Sequence, residues 1–62
     1  MKYFVIAIKW DEEKEAQVKY VAGQFNSYIN AELFRNAYND HYSANAQIYS
    51  EYELLNKEMN KG

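Results

Sequence analysis

A histidine beside an aspartate is the first pairing in this chain whose residue types could do chemistry. His41 follows Asp40, and imidazole and carboxylate groups bind metals and transfer protons. Glu51 and Glu53 add two carboxylates, which would need a buried cleft to act as general acid and base. The chain has one histidine and no cysteine, and it contains no glycine-rich phosphate loop. We therefore predict that it is not an enzyme and holds no metal or other cofactor, with His41 structural or exposed.

The elements that position these residues begin with a strand in Lys2–Trp10. On one side of this strand the pattern places large apolar residues, namely Phe4, Ile6, Ile8 and Trp10. On the other side it places Tyr3, Val5, Ala7 and Lys9. An alternation with a period of two, rich in β-branched and aromatic residues, is typical of a strand. After Asp11 we predict no second strand, so the backbone N–H and C=O groups would stay unpaired in a single chain.

The predicted lone strand and the small size of the chain both require a partner. Two copies can pair their strands antiparallel across a two-fold axis, the commonest symmetry of homo-oligomers. A chain of 62 residues forms one domain, and as a monomer it buries only about 60% of its unfolded surface. Without cysteine it has no disulfide, so oligomerisation is the remaining source of stability. We predict an obligate homodimer.

Composition sets weaker bounds on the origin and location of the chain. Tyrosine, asparagine, lysine and isoleucine are common, and their codons are AT-rich, which favours a microbial or viral gene. The apolar stretch Phe4–Ala7 is too short to cross a membrane or to act as a signal peptide. We predict a cytoplasmic protein with no membrane partner.

Three helices are predicted after the strand. The first is capped by Asp11, ends near Asn26 and buries a face at helical spacing, formed by Val18, Val21, Ala22 and Phe25. The second is capped by Asn30 and contains Leu33, Phe34, Ala37 and Tyr38. The last has a coiled-coil spacing at Ile48, Tyr52, Leu55 and Met59. Asp40–Ala44 is either a joint or a continuation of the second helix. We predict one domain, with residues 1–42 as its core and residues 43–62 as the C-terminal helix.

The order of strand, helix, turn and helix resembles the ribbon-helix-helix proteins, and in particular the phage Arc/Mnt repressor family. The resemblance lies in KWDEEKEAQVKYVAGQFNSYINAELFRNA, from Lys9 to Ala37. The family's Arg-Trp at the strand end is matched by Lys9-Trp10, and its Val-x-x-Val-Ala by residues 18–22. Its run between the helices is matched without a gap by residues 26–34. The fold implied is mainly α with one N-terminal strand, β-α-α plus an extra C-terminal helix, with the strand paired across the dimer axis.

The resemblance implies a small DNA-binding transcriptional regulator, repressor-like and of phage or mobile-element type. Its dimeric ribbon would enter the major groove of double-stranded DNA, with base contacts from Val5, Ala7 and Lys9. The start of the second helix, at Tyr28, Ile29 and Asn30, would hold phosphate of the DNA backbone. Lys2 would be a further contact to the DNA backbone. The dimer core would consist of Phe4, Ile6, Ile8, Trp10, Val18, Val21, Ala22, Leu33, Phe34 and Ala37.

The chain departs from the family at the residues that would read DNA. The family uses polar readers, whereas Val5 and Ala7 are apolar, and the net charge of −2 is unlike that of most nucleic-acid readers. Lys9 is either a base reader or a solvated surface charge. The alternative function is a protein-binding module on the same fold, a phage-type inhibitor or antirepressor of a host protein, with Val5 and Ala7 as its apolar platform.

The C-terminal helix also has two interpretations. Its apolar seam of Ile48, Tyr52, Leu55 and Met59 could join dimers into tetramers, as in some members of the family. It could equally fold back over the core of its own dimer.

Overall fold

The chain forms a three-stranded antiparallel sheet with one helix across it and a second helix after it. The computed structural model describes the backbone of residues 1–59 and the side chains of residues 1–56. The elements in chain order are β1 Tyr3–Asp11, β2 Ala16–Phe25, α1 Tyr28–Tyr42, β3 Gln47–Ser50 and α2 Glu51–Met59. The sheet order is β2-β1-β3. The molecule is a slab of 36 × 34 × 12 Å, and its thickness fits one sheet covered by one layer of helix.

The predicted ribbon-helix-helix fold is wrong, because β1 is not a lone strand. β1 pairs with β2 on one edge and with β3 on the other, both antiparallel. β2 covers the whole length of β1 and β3 covers residues 3–6, so β1 has strand partners inside its own chain. The prediction of a lone strand is therefore wrong, and so is the class of mainly α proteins with one strand.

The predicted first helix is the strand β2. Val18 and Ala22 lie four residues apart. This spacing puts two residues on the same side of a helix, where it is about one turn, and equally on the same side of a strand, where it is two periods. Tyr20 between them completes an alternation on one side of the strand, and β-branched and aromatic residues favour a strand. The pairing with β1, from Tyr3 opposite Phe25 to Asp11 opposite Ala16, decides between the two periods.

The predicted helix cap at Asp11 is instead the start of the β1–β2 turn. Its Oδ1 accepts hydrogen bonds from the backbone N–H groups of Glu13 at 2.9 Å and Lys14 at 3.3 Å. This is the same local bonding that an aspartate offers at a helix start. Glu15 then adopts a φ of 49°, in the left-handed region, and the chain turns back into β2 rather than continuing as a helix.

Small residues bring α1 close to the sheet. The core consists of Val5, Ala7, Ala31 and Ala46, which are 0% to 1% exposed, with Phe34 and Tyr38 of α1 packed against it. A Cβ atom on Gly23 would lie 2.9 Å from Phe25 Cε2 and 3.0 Å from Phe34 Cε2. The ring of Phe34 therefore rests almost on the backbone of β2, at a position where only glycine leaves room.

The end of α1 is joined to β3 by one side chain. Ser43, with a φ of 52°, ends the helix in the left-handed conformation. The Asn39 amide then accepts a hydrogen bond from the Ala46 N–H at 2.7 Å and donates one to the Ala46 carbonyl oxygen at 3.2 Å. These two bonds provide partners for the backbone N–H and C=O groups of the buried Ala46, just before β3 begins, and they hold the third strand beside the helix.

The predicted C-terminal helix of residues 43–62 is replaced, within the described residues, by a strand and a shorter helix; residues 60–62 of that prediction lie outside the described part of the chain. Ile48 lies in β3, opposite Val5, and not on a helical seam. Ser50 and Glu53 form a capping box: the Ser50 Oγ accepts a hydrogen bond from the Glu53 N–H, and the Glu53 carboxylate accepts one from the Ser50 N–H, both at 3.1 Å. This reciprocal bonding marks a helix start, so α2 begins at Glu51.

Candidate interaction surface

The sheet has one covered face and one open face. Core side chains and α1 lie on the covered face. Because residues directly opposite each other in a sheet point to the same side, the pairing register defines the other face, which we call the open face. Its residues are Phe4, Ile6, Ile8, Trp10, Gln17, Lys19, Val21, Gln24, Gln47 and Tyr49.

A row of large apolar side chains runs along the middle of the open face. Trp10 is 60% exposed and Ile8 is 50% exposed, and Val21 of the neighbouring strand is 56% exposed. Phe4 and Ile6 continue the row and are half-buried. An apolar patch that is contiguous and rimmed by polar residues is typical of a binding surface. Here the glutamines of β2 and β3 form the rim.

The predicted faces of the first strand are interchanged. Val5 and Ala7, predicted as DNA base contacts, are 0% and 1% exposed under α1, so their side chains cannot reach a base edge. The row that begins at Phe4 and ends at Trp10 was predicted to cover the helices, and it faces away from α1. The reason is steric, because α1 packs closest where the strand side chains are smallest.

The other predicted DNA contacts are not among the paired residues that define the open face. Lys9 is exposed on the same side of the strand as Val5 and Ala7, and its Nζ lies 5.3 Å from the centroid of the Tyr20 ring. Lys2 is exposed just before β1. Residues 28–30 do form the first turn of a helix, whose N-cap is Ser27, three residues before the predicted cap at Asn30.

The predicted dimer core is divided among both faces and the outer side of α1. Phe34 is half-buried and packs against the core, as Ala22 does. Leu33 is 64% exposed and Ala37 is also exposed. The face of α1 that meets the sheet is formed instead by Ala31 and by the residues three and seven positions after it, Phe34 and Tyr38. Val18 is half-buried.

A tyrosine pair links α1 to β2 at one side of the core. The hydroxyl groups of Tyr20 and Tyr38 share a hydrogen bond. This bond, together with partial burial, raises the pKa of the Tyr38 hydroxyl from 10.0 to about 12. Phe34 stacks on Tyr38 with ring centroids 5.8 Å apart, and Tyr42 follows at 4.7 Å. The pair is a structural contact between helix and strand.

The residues that could do chemistry are not brought together. His41 is exposed at the end of α1, with its ring edge-on to that of Tyr42 at 4.6 Å. Glu51 is exposed, and the Glu53 carboxylate is engaged in the cap of α2. Within residues 1–56, no group of three or more histidine, cysteine, aspartate or glutamate side chains could hold a metal ion.

The apolar residues of the predicted C-terminal interface are separated. Ile48 packs against the core from β3, whereas Tyr52 and Leu55 of α2 are 62% and 59% exposed. The side chain of Met59 lies outside the described residues.

Two structural roles are missing from the sequence-based prediction. The Ser50-x-x-Glu53 spacing is a known capping signature, and it would have placed the start of α2 correctly. The role of Asn39 has no local signal, because its partner Ala46 lies seven residues away and is defined only by the packing of β3.

Searches with family models, among curated proteins and among solved structures give no match to this chain. The resemblance to the Arc/Mnt family stays a prediction from the residues, and the fold that it implies is not the fold of this chain. Among the helices described in residues 1–59, none is long and apolar enough to span a membrane.

Proposed function

We propose that this chain is a non-catalytic protein-binding module whose open face is a protein–protein interface. The observation that carries the proposal is the apolar row of the open face, where Ile8 and Trp10 are half or more exposed while the far smaller Ala7, just before Ile8 on the other face, is buried. Leaving so much apolar surface in water costs about 25 cal/mol for each Å², so its burial by a partner is favourable.

The charge distribution also supports a protein ligand. Among the ten open-face residues given above, Lys19 is the only charged one. The centre of a protein–protein interface is depleted in charge and enriched in aromatic residues, which matches the row from Phe4 to Trp10. Nucleic acid demands several basic contacts, because most of its binding free energy comes from phosphate neutralisation.

Binding of double-stranded DNA is the second candidate function. One observation favours it: Gln17, Lys19 and Gln24 lie on the same face of the sheet, and amide and ammonium groups can donate to base edges. The mode of binding would be a three-stranded sheet laid against a groove of the DNA, and not the paired ribbon of a repressor.

The cytoplasmic location stays a prediction from composition.

The proposed function is tested by capturing partners on three forms of the purified chain. Ile8→Glu places a charge in the middle of the open face, opposite Lys19. Leu33→Glu places the same charge on the outer side of α1, where Leu33 is 64% exposed. After nuclease treatment, we expect the wild type and Leu33→Glu to retain the same protein contacts, including contacts between copies, and Ile8→Glu to lose them.

A protein contact that survives in Ile8→Glu and disappears in Leu33→Glu would place the interface on α1 and contradict the proposal. The DNA candidate is tested in parallel by selection from a random duplex library at moderate salt. We expect no enriched sequence; inverted half-sites that Ile8→Glu fails to enrich would favour DNA over protein as the ligand of the open face.

A further inference from the structure

We propose that a second copy of this chain occupies the open face, so that two sheets pack face to face in a homodimer. This inference rests on the proposed function, since it names the partner of the same surface. It differs from the strand-paired dimer expected from the sequence, because the two copies meet through the faces of their sheets and not through the edge of β1, which already pairs with β2 along its length and with β3 over residues 3–6. The centre of the interface is the row formed by Phe4, Ile6, Ile8 and Trp10.

The surface area of the chain is the first argument for a second copy. The chain exposes 5044 Å². A compact monomer of 7.4 kDa exposes about 4200 Å² by the usual scaling with mass. The difference of about 800 Å² is close to what each partner contributes to a stable interface of standard size, about 800 Å² per side. The open face and the exposed side of α2, at Tyr52 and Leu55, both contribute to this excess.

The uncharged character of the open face is the second argument. A two-fold interface is formed by the same patch on both copies, so an excess of one charge on that patch is present on both sides of the interface. Lys19 is the only charged residue among the described open-face positions, and it lies on β2, beside the row and not within it. The face can therefore meet itself with little repulsion, whereas a strongly charged face would require a partner of opposite sign.

The acidic turn between β1 and β2 fixes the orientation of the two copies. Asp11, Glu12, Glu13 and Glu15 lie at the end of the row next to Trp10. If the strands of the two sheets ran parallel, the two acidic turns would lie side by side. An antiparallel arrangement separates them by the length of β1, about 30 Å. Trp10 of each copy then packs near Phe4 of the other, with the axis between Ile6 and Ile8.

Layer geometry is consistent with this arrangement. Sheets that pack face to face lie about 10 Å apart and stay within about 30° of alignment. The dimer would have four layers, with one α1 helix on each outer side and the two sheets inside. Each sheet would then be covered on both faces, which is the usual condition for an apolar residue such as Ile8 in the middle of a strand.

The test is the oligomeric state of the chain by sedimentation equilibrium, from about 1 µM to about 1 mM, since interfaces of this area range widely in affinity. We expect a reversible monomer–dimer equilibrium in the wild type. Ile8→Glu should raise the dissociation constant at least about 100-fold, because each dimer would take two carboxylates and the Lys19 ammonium groups opposite them out of water. Leu33→Glu, the matched control on α1, should change it less than about 3-fold, as expected of an exposed position.

A second, milder variant tests the interface in case Ile8→Glu fails to fold. Val21→Thr keeps the β-branched shape and only removes apolar surface from the open face, where Val21 is 56% exposed. We expect it to weaken the dimer several-fold, with the circular dichroism of the dilute monomer unchanged. A dimer that persists unchanged in Ile8→Glu and in Val21→Thr would place the contact elsewhere, for example on the free edge of β2, and would overturn the inference.

A chain that stays monomeric to the highest concentration also overturns the inference. The proposed function would still stand in that case if the same Ile8→Glu change abolished the capture of a different protein. If Ile8→Glu changed neither self-association nor partner capture, both proposals would fail. The two failures are therefore distinguishable with one set of variants.

The orientation is tested by cross-linking, for which the absence of native cysteine is an advantage. Chains carrying Phe4→Cys and chains carrying Trp10→Cys are mixed and treated with a short bismaleimide. We expect the mixture to give a cross-linked dimer of one chain of each kind, and Trp10→Cys alone to give much less. Efficient cross-linking of Trp10→Cys with itself would mean that the strands run parallel, against the proposed orientation.

Discussion

Between Val5 and Trp10, the two faces of β1 differ in the size of their apolar side chains. On the covered face β1 presents Val5 and Ala7, which α1 buries completely. On the open face the same strand presents Ile8 and Trp10, which are far larger and remain in contact with solvent. Hydrophobicity alone would bury the larger residues first. Here the smaller ones are inside.

The helix α1 therefore packs on the face that it can approach more closely. Ala31 of α1 sits over Val5 and Ala7, and the Phe34 ring lies close to Gly23. Close packing of small groups gives many dispersion contacts and leaves few voids. A bulky row such as Ile8 and Trp10 would hold a helix further away, and it suits the surface of another protein.

The largest expected effect comes from placing the same carboxylate on either face of β1. Val5→Glu should cost more than about 4 kcal/mol of unfolding free energy, enough to unfold the chain, because the charge would be buried without a partner. Ile8→Glu should cost less than about 1 kcal/mol, since Lys19 lies directly opposite and can pair with it. Circular dichroism of the dilute chains shows whether Val5→Glu is folded, and urea denaturation measures the loss in Ile8→Glu.

Equal losses of unfolding free energy in Val5→Glu and Ile8→Glu would contradict the proposed difference between the faces, because they would mean that Ile8 is as buried as Val5 in the isolated chain. Val5→Ala is the control for the size of the side chain without its charge, and it should lower stability by about 2 kcal/mol.

A smaller effect is expected at Gly23, where the covered face leaves no space for a methyl group. Gly23→Ala should destabilise the chain by about 1–2 kcal/mol: the new Cβ would push the Phe25 and Phe34 rings, now 5.2 Å apart between centroids, out of their packing. Gln24→Ala, one residue on and on the open face, is the matched control and should change stability by about 0.5 kcal/mol or less. Midpoints of thermal unfolding distinguish the two, and a stabilising Gly23→Ala would show that the rings yield freely.

The smallest effect concerns the pH dependence of the tyrosine pair on the covered face. The pKa of Tyr38 is 10.0 without its partner and about 12 in the folded chain, so the neutral hydroxyl is the form that folding favours. Its contribution to stability is complete below pH 10 and is lost as the pH rises through 12. We expect Tyr38→Phe to lower stability at neutral pH and to flatten its decline above pH 10, as followed by urea titration.

Tyr42→Phe is the control for the pH experiment, because Tyr42 is 64% exposed and makes no such hydroxyl bond with Tyr20. It should leave the alkaline decline as steep as in the wild type. If Tyr38→Phe behaved in the same way as Tyr42→Phe, the hydroxyl bond between α1 and β2 would not contribute to stability.

Part of the architecture was predictable because its signals are local. The alternation from Tyr3 to Trp10 predicted the first strand, and a strand is present there. The apolar spacing around Phe34 predicted a helix, and α1 covers it. The Ser50-x-x-Glu53 cap could have been predicted as well, since both bonds lie within four residues of sequence.

The rest could not be predicted, because its signals were shared between two structures. Asp11 offers the same side-chain bonds to a turn and to a helix start, and Val18 and Ala22 fit either period. Only the pairing of β2 with β1 along nine partner positions resolves the ambiguity. The same holds for Ile48, whose helical spacing to Tyr52 gave no warning that it pairs opposite Val5.

By itself the sequence determined that β1 is a strand with two unlike faces, that the region around Phe34 is helical, and that the chain is too small to bury all its apolar residues. Only the tertiary structure decided which face is covered, because that choice depends on how closely a helix can approach side chains from three separate strands. It also decided that β1 finds strand partners inside the chain, because β2 pairs with it along its whole length and β3 over residues 3–6. Apolar surface on the open face is what a partner can still cover.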